Sequence, residues 1–148
     1  MREPHVLRVE EGPERFAALF RAASEAGLRV GWLELAAASP LPEGLATAAA
    51  LGVLRAVAAS GGRSVAVKPL RGEPVLRDLL REHFRGCALV LVQGKIDRPR
   101  LEADGDAWIV RSVSPVDAVE GIERFEIAAL VAALRKPRPW NAGAAAPP

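Results

Sequence analysis

Tyrosine is absent from this chain, cysteine and methionine occur once each, and aromatic residues make up only 5% of it. The lone Cys87 excludes an internal disulfide and any zinc site built on paired cysteines, and a reducing, cytoplasmic setting is the simplest expectation. Only two histidines exist, His5 and His83, so there is no HExxH, and no GxGxxG opens a dinucleotide-binding helix. The opening residues MREPHVLRVEE carry charges where a signal peptide needs an apolar core, so secretion is not expected. The longest apolar run, residues 45–59, is alanine-rich and contains Thr47 and Arg55, which makes it too short and too weakly hydrophobic to span a bilayer. An excess of one charge sign is missing as well. Twenty Lys and Arg face eighteen Asp and Glu, and the net +2 permits anionic partners without demanding them.

Half of the residues are hydrophobic and 26% are charged, the composition of a globular rather than a disordered chain. At 148 residues it makes one domain, burying roughly two-thirds of the surface of its unfolded chain. We expect that domain to cover residues 1–135, with a proline- and alanine-rich tail over 136–148 in which Trp140 has the means to dock. Scarce Asn, Gln, Cys and Met beside frequent Pro and Arg are compatible with a thermophile, or with GC-rich coding.

Residues 63–95 organise the reading. Residues 64–68 and 87–93 read as strands, and Ala88-Leu89-Val90-Leu91-Val92 has no polar alternation, the habit of a strand covered on both faces. The helix between them opens near Pro74, carries Leu76, Leu79, Leu80 and His83 on one stripe, and stops at Gly86. That pattern predicts a βαβ unit. Upstream, His5–Val9 reads as a strand, a helix buries Phe16, Leu19, Phe20 and Ala23 before Gly27, and residues 28–36 form the next strand. Ser39-Pro40 then begins a helical region running to Ser60, ended by Gly61-Gly62. Between Gly44 and Ala59 only Thr47 and Arg55 are polar, so this helix is either packed deep or covered by a second subunit through Leu45, Ala49, Leu51, Val53, Leu54 and Val57.

Downstream, residues 100–103 and 106–111 flank Asp104-Gly105, a favoured hairpin turn. Ser114-Pro115-Val116-Asp117 reads as the start of a helix to about Arg135, with Val119, Ile122, Ile127, Leu130, Val131 and Leu134 inward. The expected fold is α/β: a three-layer arrangement with a mostly parallel sheet of about four strands, helices on both faces and an antiparallel edge hairpin. Ligands in such sheets bind at the carboxyl ends of the strands. Lys68 and Arg71 follow one strand there, and Lys95, Arg98 and Arg100 follow another, so these five cations form the candidate anion site, opposed by Asp97. No aromatic residues interleave with them, which does not support a stacking platform for single strands. Arg77, Arg81 and Arg85 also lie on an i, i+4 line, but Asp78 and Glu82 beside them point to a solvated, internally paired face. His83 and Cys87 lie one turn apart. A Cys–His nucleophile is less expected than structural roles, because Cys87 starts its strand rather than ending it.

Several short stretches share a pattern. Gly12-Pro13-Glu14 closes the first strand before a helix, residues 28–40 form a strand with a trailing loop, and Leu51-Gly52-Val53 ends a helical run. Pro69-Leu70-Arg71-Gly72-Glu73 precedes a helix that reaches Arg85-Gly86, and residues 87–93 form the strand after it. Over residues 6–93 these resemble the core of a RecA-type recombinase ATPase, a P-loop-type fold. The resemblance places Gly12-Pro13-Glu14 at the start of the Walker A loop and residues 87–93 at the Walker B strand. Yet Arg15-Phe16-Ala17 supplies neither the lysine nor the hydroxyl that a Walker A loop needs. Gln93 stands where the Walker B aspartate would be, and the catalytic glutamate would fall near Ala36, close to Glu34. The resemblance therefore implies a scaffold without ATPase chemistry, with no cofactor and no metal. By that analogy it is a non-catalytic accessory protein, as in DNA repair or the damage response, acting through protein contacts or as a homodimer. The alternative is a phosphate- or nucleotide-binding module using the basic loop edge, with nucleic acid or a phosphate compound as ligand and no membrane partner.

Overall fold

The computed structural model of the chain describes residues 3–35, 42–68, 70, 72–113 and 120–140. Strand β1 (His5–Val9) pairs in parallel with β5 (Leu89–Gln93), in register from His5 opposite Leu89 to Val9 opposite Gln93. On the far side of β5 lies β2 (Val30–Glu34), again parallel. On the near side of β1, β6 (Arg100–Asp104) joins in parallel through Arg8 and Arg100. Two further strands, β7 (Ala107–Val113) and β8 (Glu120–Phe125), extend the sheet in antiparallel fashion. The result is a mixed six-stranded sheet in the order β2-β5-β1-β6-β7-β8, within an α/β fold.

The apolar run of β5 explains its place beside β1. Leu89, Val90, Leu91 and Val92 are all fully buried, so neither face of that strand tolerates water. One face packs beneath the helix α1 (Ala17–Glu25), entered through a 3-10 turn at Pro13–Phe16, and the helix α4 (Ile127–Leu134). Phe16, Leu19, Leu130 and Leu134 close there on Leu7, Leu89, Leu91, Leu101, Trp108 and Val110. Each such leucine contributes about 1.5–3 kcal/mol by leaving water. The helix α3 (Leu76–His83) reaches the opposite face through the Phe84 ring, which occupies the space a Cβ on Gly31 would need.

Three expectations from the sequence are corrected. The helix expected to run to Ser60 is only α2 (Glu43–Ala50); Gly52, at φ +95, ends it. Beyond it the chain forms an antiparallel pair, β3 (Ala56–Ser60) and β4 (Arg63–Val67), in a separate two-stranded sheet. Gly61 and Gly62 do not terminate a helix. Both have positive φ, +58 and +78, which a two-residue hairpin turn of type I′ requires. Alanine's high helix propensity disguised a hairpin whose register its turn dictates. Residues 63–95 are accordingly not a βαβ unit, because β4 pairs with β3 and not with β5.

The third correction is downstream. Ser114-Pro115-Val116-Asp117 and Val119 lie outside the described residues, and among the described residues the helix expected to run through to Arg135 is α4 alone. Glu120–Phe125 is a strand whose side chains alternate between exposed and half-buried, and Ile122 is exposed rather than inward. The period there is two, not 3.6. The β6–β7 hairpin is as expected, although Asp104 pairs with Ala107, so Gly105-Asp106 forms the turn.

The contact of Phe84 with Gly31 is testable. Gly31→Ala is expected to destabilise the protein by about 1–3 kcal/mol through overpacking. Combining it with Phe84→Ala should recover part of that loss relative to the sum of the two single changes. Strict additivity in urea denaturation would show that the ring does not depend on the missing Cβ.

Candidate anion-binding cleft

The hydrophobic stripe of α3 leaves space beside it. Leu76, Leu79 and Leu80 are only half-buried, and α3 contains no fully buried residue. Between α3, the amino end of β1 and the loop at 95–99 opens a cleft of about 1750 Å³. Val6 and Arg8 of β1 line it, as do Arg77 and Arg81 from α3, Arg85 just beyond its end, and Lys95, Asp97 and Arg98 from the loop. One end is bounded by Arg138, Pro139 and Trp140.

The sequence placed an anion site at the carboxyl edge; the structure distributes those residues differently. Lys95 and Arg98 line the cleft. Lys68 turns away to pair with Glu82 of α3. Arg100 is bound to Glu10 at 3.0 Å and to Glu102 at 3.1 Å, with its Nε buried and without a hydrogen-bond partner. Arg71 lies outside the described residues. In exchange the cleft gains Arg77, Arg81 and Arg85, whose i, i+4 line in the sequence points to a paired solvated face. That pairing does not form. Glu82 goes to Lys68, and among the described residues no carboxylate lies within ion-pair distance of Arg77, Arg81, Arg85, Lys95 or Arg98. Among the described residues Arg85 Nε donates to the Arg81 carbonyl at 2.9 Å, and Arg98 Nη1 to the Asp97 carbonyl at 3.4 Å.

Glu3 and Asp97 also line the cleft, while other carboxylates of the sheet are held in ion pairs. Arg8, Glu10, Arg100, Glu102, Arg111 and Glu120 form a continuous chain of ion pairs across β1, β6, β7 and β8, at 2.8–3.2 Å. The hydrogen bond from Arg100, reinforced by Arg8, holds the Glu10 carboxyl below the usual carboxylate range. Glu102, then Glu120, pushes the Arg111 guanidinium upward. At the cleft's end, Arg138 donates to Glu123 at 2.6 Å and lies 4.3 Å above the Trp140 ring. Trp140 docks as its apolar bulk suggested. Its Nε1–H donates to His5 Nδ1 at 2.8 Å, leaving His5 Nε2–H to donate to the Lys136 carbonyl at 2.9 Å. Nothing local in the sequence signals that pairing, since the two residues stand 135 positions apart.

Cys87 and His83 do not form a nucleophilic pair. Burial pushes the Cys87 thiol up, only partly offset by Arg29, whereas a nucleophilic cysteine needs its thiolate favoured. His83 is exposed beside Glu82, at 3.8 Å, and against the Phe84 ring. Around Gly12 the chain enters the 3-10 turn at once, and Gln93 Nε2 donates to the Glu11 carbonyl at 3.2 Å, tying the end of β5 to the loop after β1. Among the described residues no group of three His, Cys, Asp or Glu could hold a metal ion, and no helix is long and apolar enough to cross a membrane.

The tie between Lys68 and Glu82 has a pH signature. Lys68 holds the Glu82 carboxyl below its ordinary value, so the tie is present at neutral pH and is lost as pH falls through the carboxylate range. An NMR titration should place the Glu82 midpoint lower in the parent protein than in Lys68→Met; equal midpoints would refute the pairing. No protein-family model matches the chain, and a search of curated proteins finds no match.

Proposed function

We propose that this protein is a non-catalytic binding module that holds a phosphate-bearing anion in the cleft between α3 and the loop at 95–99. The observation that carries this reading is the convergence of Arg77, Arg81, Arg85, Lys95 and Arg98 on one cleft with no carboxylate paired to any of them among the described residues. Grouped like charges repel one another, and an oxyanion relieves that repulsion while accepting charge-assisted hydrogen bonds from the guanidinium groups. The lining also holds two carboxylates, Glu3 and Asp97, which the cations outnumber, and its imidazole, His5, is committed to Trp140 and the Lys136 carbonyl, so binding rather than turnover is the chemistry we assign to it.

A second reading is favoured by a different surface. Leu51 is 80% exposed, Leu54 77% and Val57 57%, with Val53 and Val65 nearby in sequence or register. Leu45 is buried, whereas Ala49 is exposed at the end of α2. Exposed apolar side chains on a two-stranded hairpin suit a protein interface, whether a second copy or another protein. The accessory role in DNA repair that the RecA-type resemblance implies belongs to this reading, in a cytoplasmic setting.

Two measurements test these readings. Inorganic tripolyphosphate at millimolar concentration should raise the unfolding temperature of the full chain, and Arg77→Gln with Lys95→Gln should abolish the rise. An unchanged unfolding temperature in the parent protein would overturn the anion reading. For the interface, light scattering should show self-association, or capture of a protein partner, that Leu54→Glu with Val57→Glu removes; a monomer indifferent to both changes would contradict it.

A further inference from the structure

We infer that the anion seated in the cleft is the sugar–phosphate backbone of a nucleic-acid duplex, gripped without regard to base sequence; this rests on the anion-binding reading above. The cleft's size is the first argument. At about 1750 Å³ it exceeds the roughly 300–1,000 Å³ of small-molecule pockets. Its cations are strung out rather than focused. Arg77 and Arg81 stand one turn apart on α3, about 6 Å along its axis, and Arg85 follows just past the helix end, with Lys95 and Arg98 on the loop at 95–99. A single phosphate group engages one or two of these side chains. A polymer with a charge at every repeat engages the whole row and releases a counterion for each phosphate neutralised.

The choice of duplex over single strand comes from the aromatic residues. Binding of single strands draws on rings that stack against unpaired bases. Two such rings line the cleft, Phe84 and Trp140, and both are occupied. Phe84 packs on Gly31, while Trp140 lies beneath the Arg138 guanidinium, meets Phe125 and His5 edge-on, and spends its N–H on His5. With no ring free, unstacked bases gain nothing here, whereas a duplex keeps its bases stacked internally and presents only phosphates. Among the described residues no Asn or Gln, the usual partners of adenine, lines the cleft, and the amide of Gln93 is committed to the Glu11 carbonyl. Arginine and lysine also read guanine edges, but cations spent on phosphates position a backbone and carry no sequence code.

The test is fluorescence anisotropy of the full chain with a mixed-sequence duplex of about two helical turns, across a salt series. The expected result is binding whose log K falls with log salt at about 0.9 per phosphate contacted. Arg77→Gln with Arg81→Gln should weaken it about 10- to 100-fold near 0.1 M salt and reduce the slope by about two. Lys95→Gln with Arg98→Gln, on the opposite wall, should act in the same direction, and shuffled duplex sequences should bind alike. Thermal unfolding of both variants checks that they fold. Tighter binding to a single strand of the same length, or equal binding to polyglutamate, would overturn the duplex inference. Binding of tripolyphosphate with none of duplex would overturn it too, leaving the anion reading intact. Failure of both ligands would sink both.

Discussion

The seating of the Phe84 ring on Gly31 is the contact on which the distinctive part of this molecule depends. A side chain at position 31 would lift the ring off the sheet. The ring holds the end of α3 against the sheet, and the helix has its leucines half-buried and a cleft beside it. The face beneath α1 and α4 is closed, by contrast, with Phe16, Leu19, Leu130 and Leu134 fully buried. Most of the large buried side chains thus lie on one face, and the other keeps a cleft beside Val90 and Val92, which are themselves fully buried.

Charge segregation gives that open face its character. The chain is nearly neutral, with a net +2, yet its carboxylates are drawn into particular pairs. Lys68 takes Glu82, Arg8 and Arg100 share Glu10, Arg111 takes Glu102 and Glu120, and Arg138 takes Glu123. What remains around α3 and the loop at 95–99 is an excess of arginine and lysine that no average over the chain would reveal. Exposed pairs of this kind contribute little to stability individually. Their consequence here is where they leave the unpaired cations.

Legibility in the sequence tracked the length scale of each signal. The strands β1, β2 and β5, the helix α1 with Gly27 behind it, and the β6–β7 hairpin were all readable, because apolar runs and turn residues act over a few positions. The hairpin of β3 and β4 was hidden because alanine favours helices, and only the paired positive φ at Gly61 and Gly62 betrays a turn. β8 was hidden by a proline-initiated helix signal just upstream, although Gly121 and the two-residue alternation were present. Half of the cleft was legible: Lys95 and Arg98 stood out, and the line of Arg77, Arg81 and Arg85 was visible. Its neutralisation by Glu82 was the wrong inference, since Lys68 claims that carboxylate across a tertiary contact that helical spacing cannot show. The His5–Trp140 hydrogen bond joins opposite ends of the described chain, beyond the reach of any local pattern.

The central claim is that unpaired cations on α3 and on the loop after β5 act as one anion site. Mapping the chemical-shift changes of arginine Nε and lysine Nζ resonances during titration with inorganic tripolyphosphate tests it most directly. Saturable shifts are expected at Arg77, Arg81, Lys95 and Arg98 with a common midpoint, and none at Lys68 or Arg100, whose charges are already paired. Shifts centred instead on residues 12–15, or spread evenly over all arginines without saturation, would contradict it.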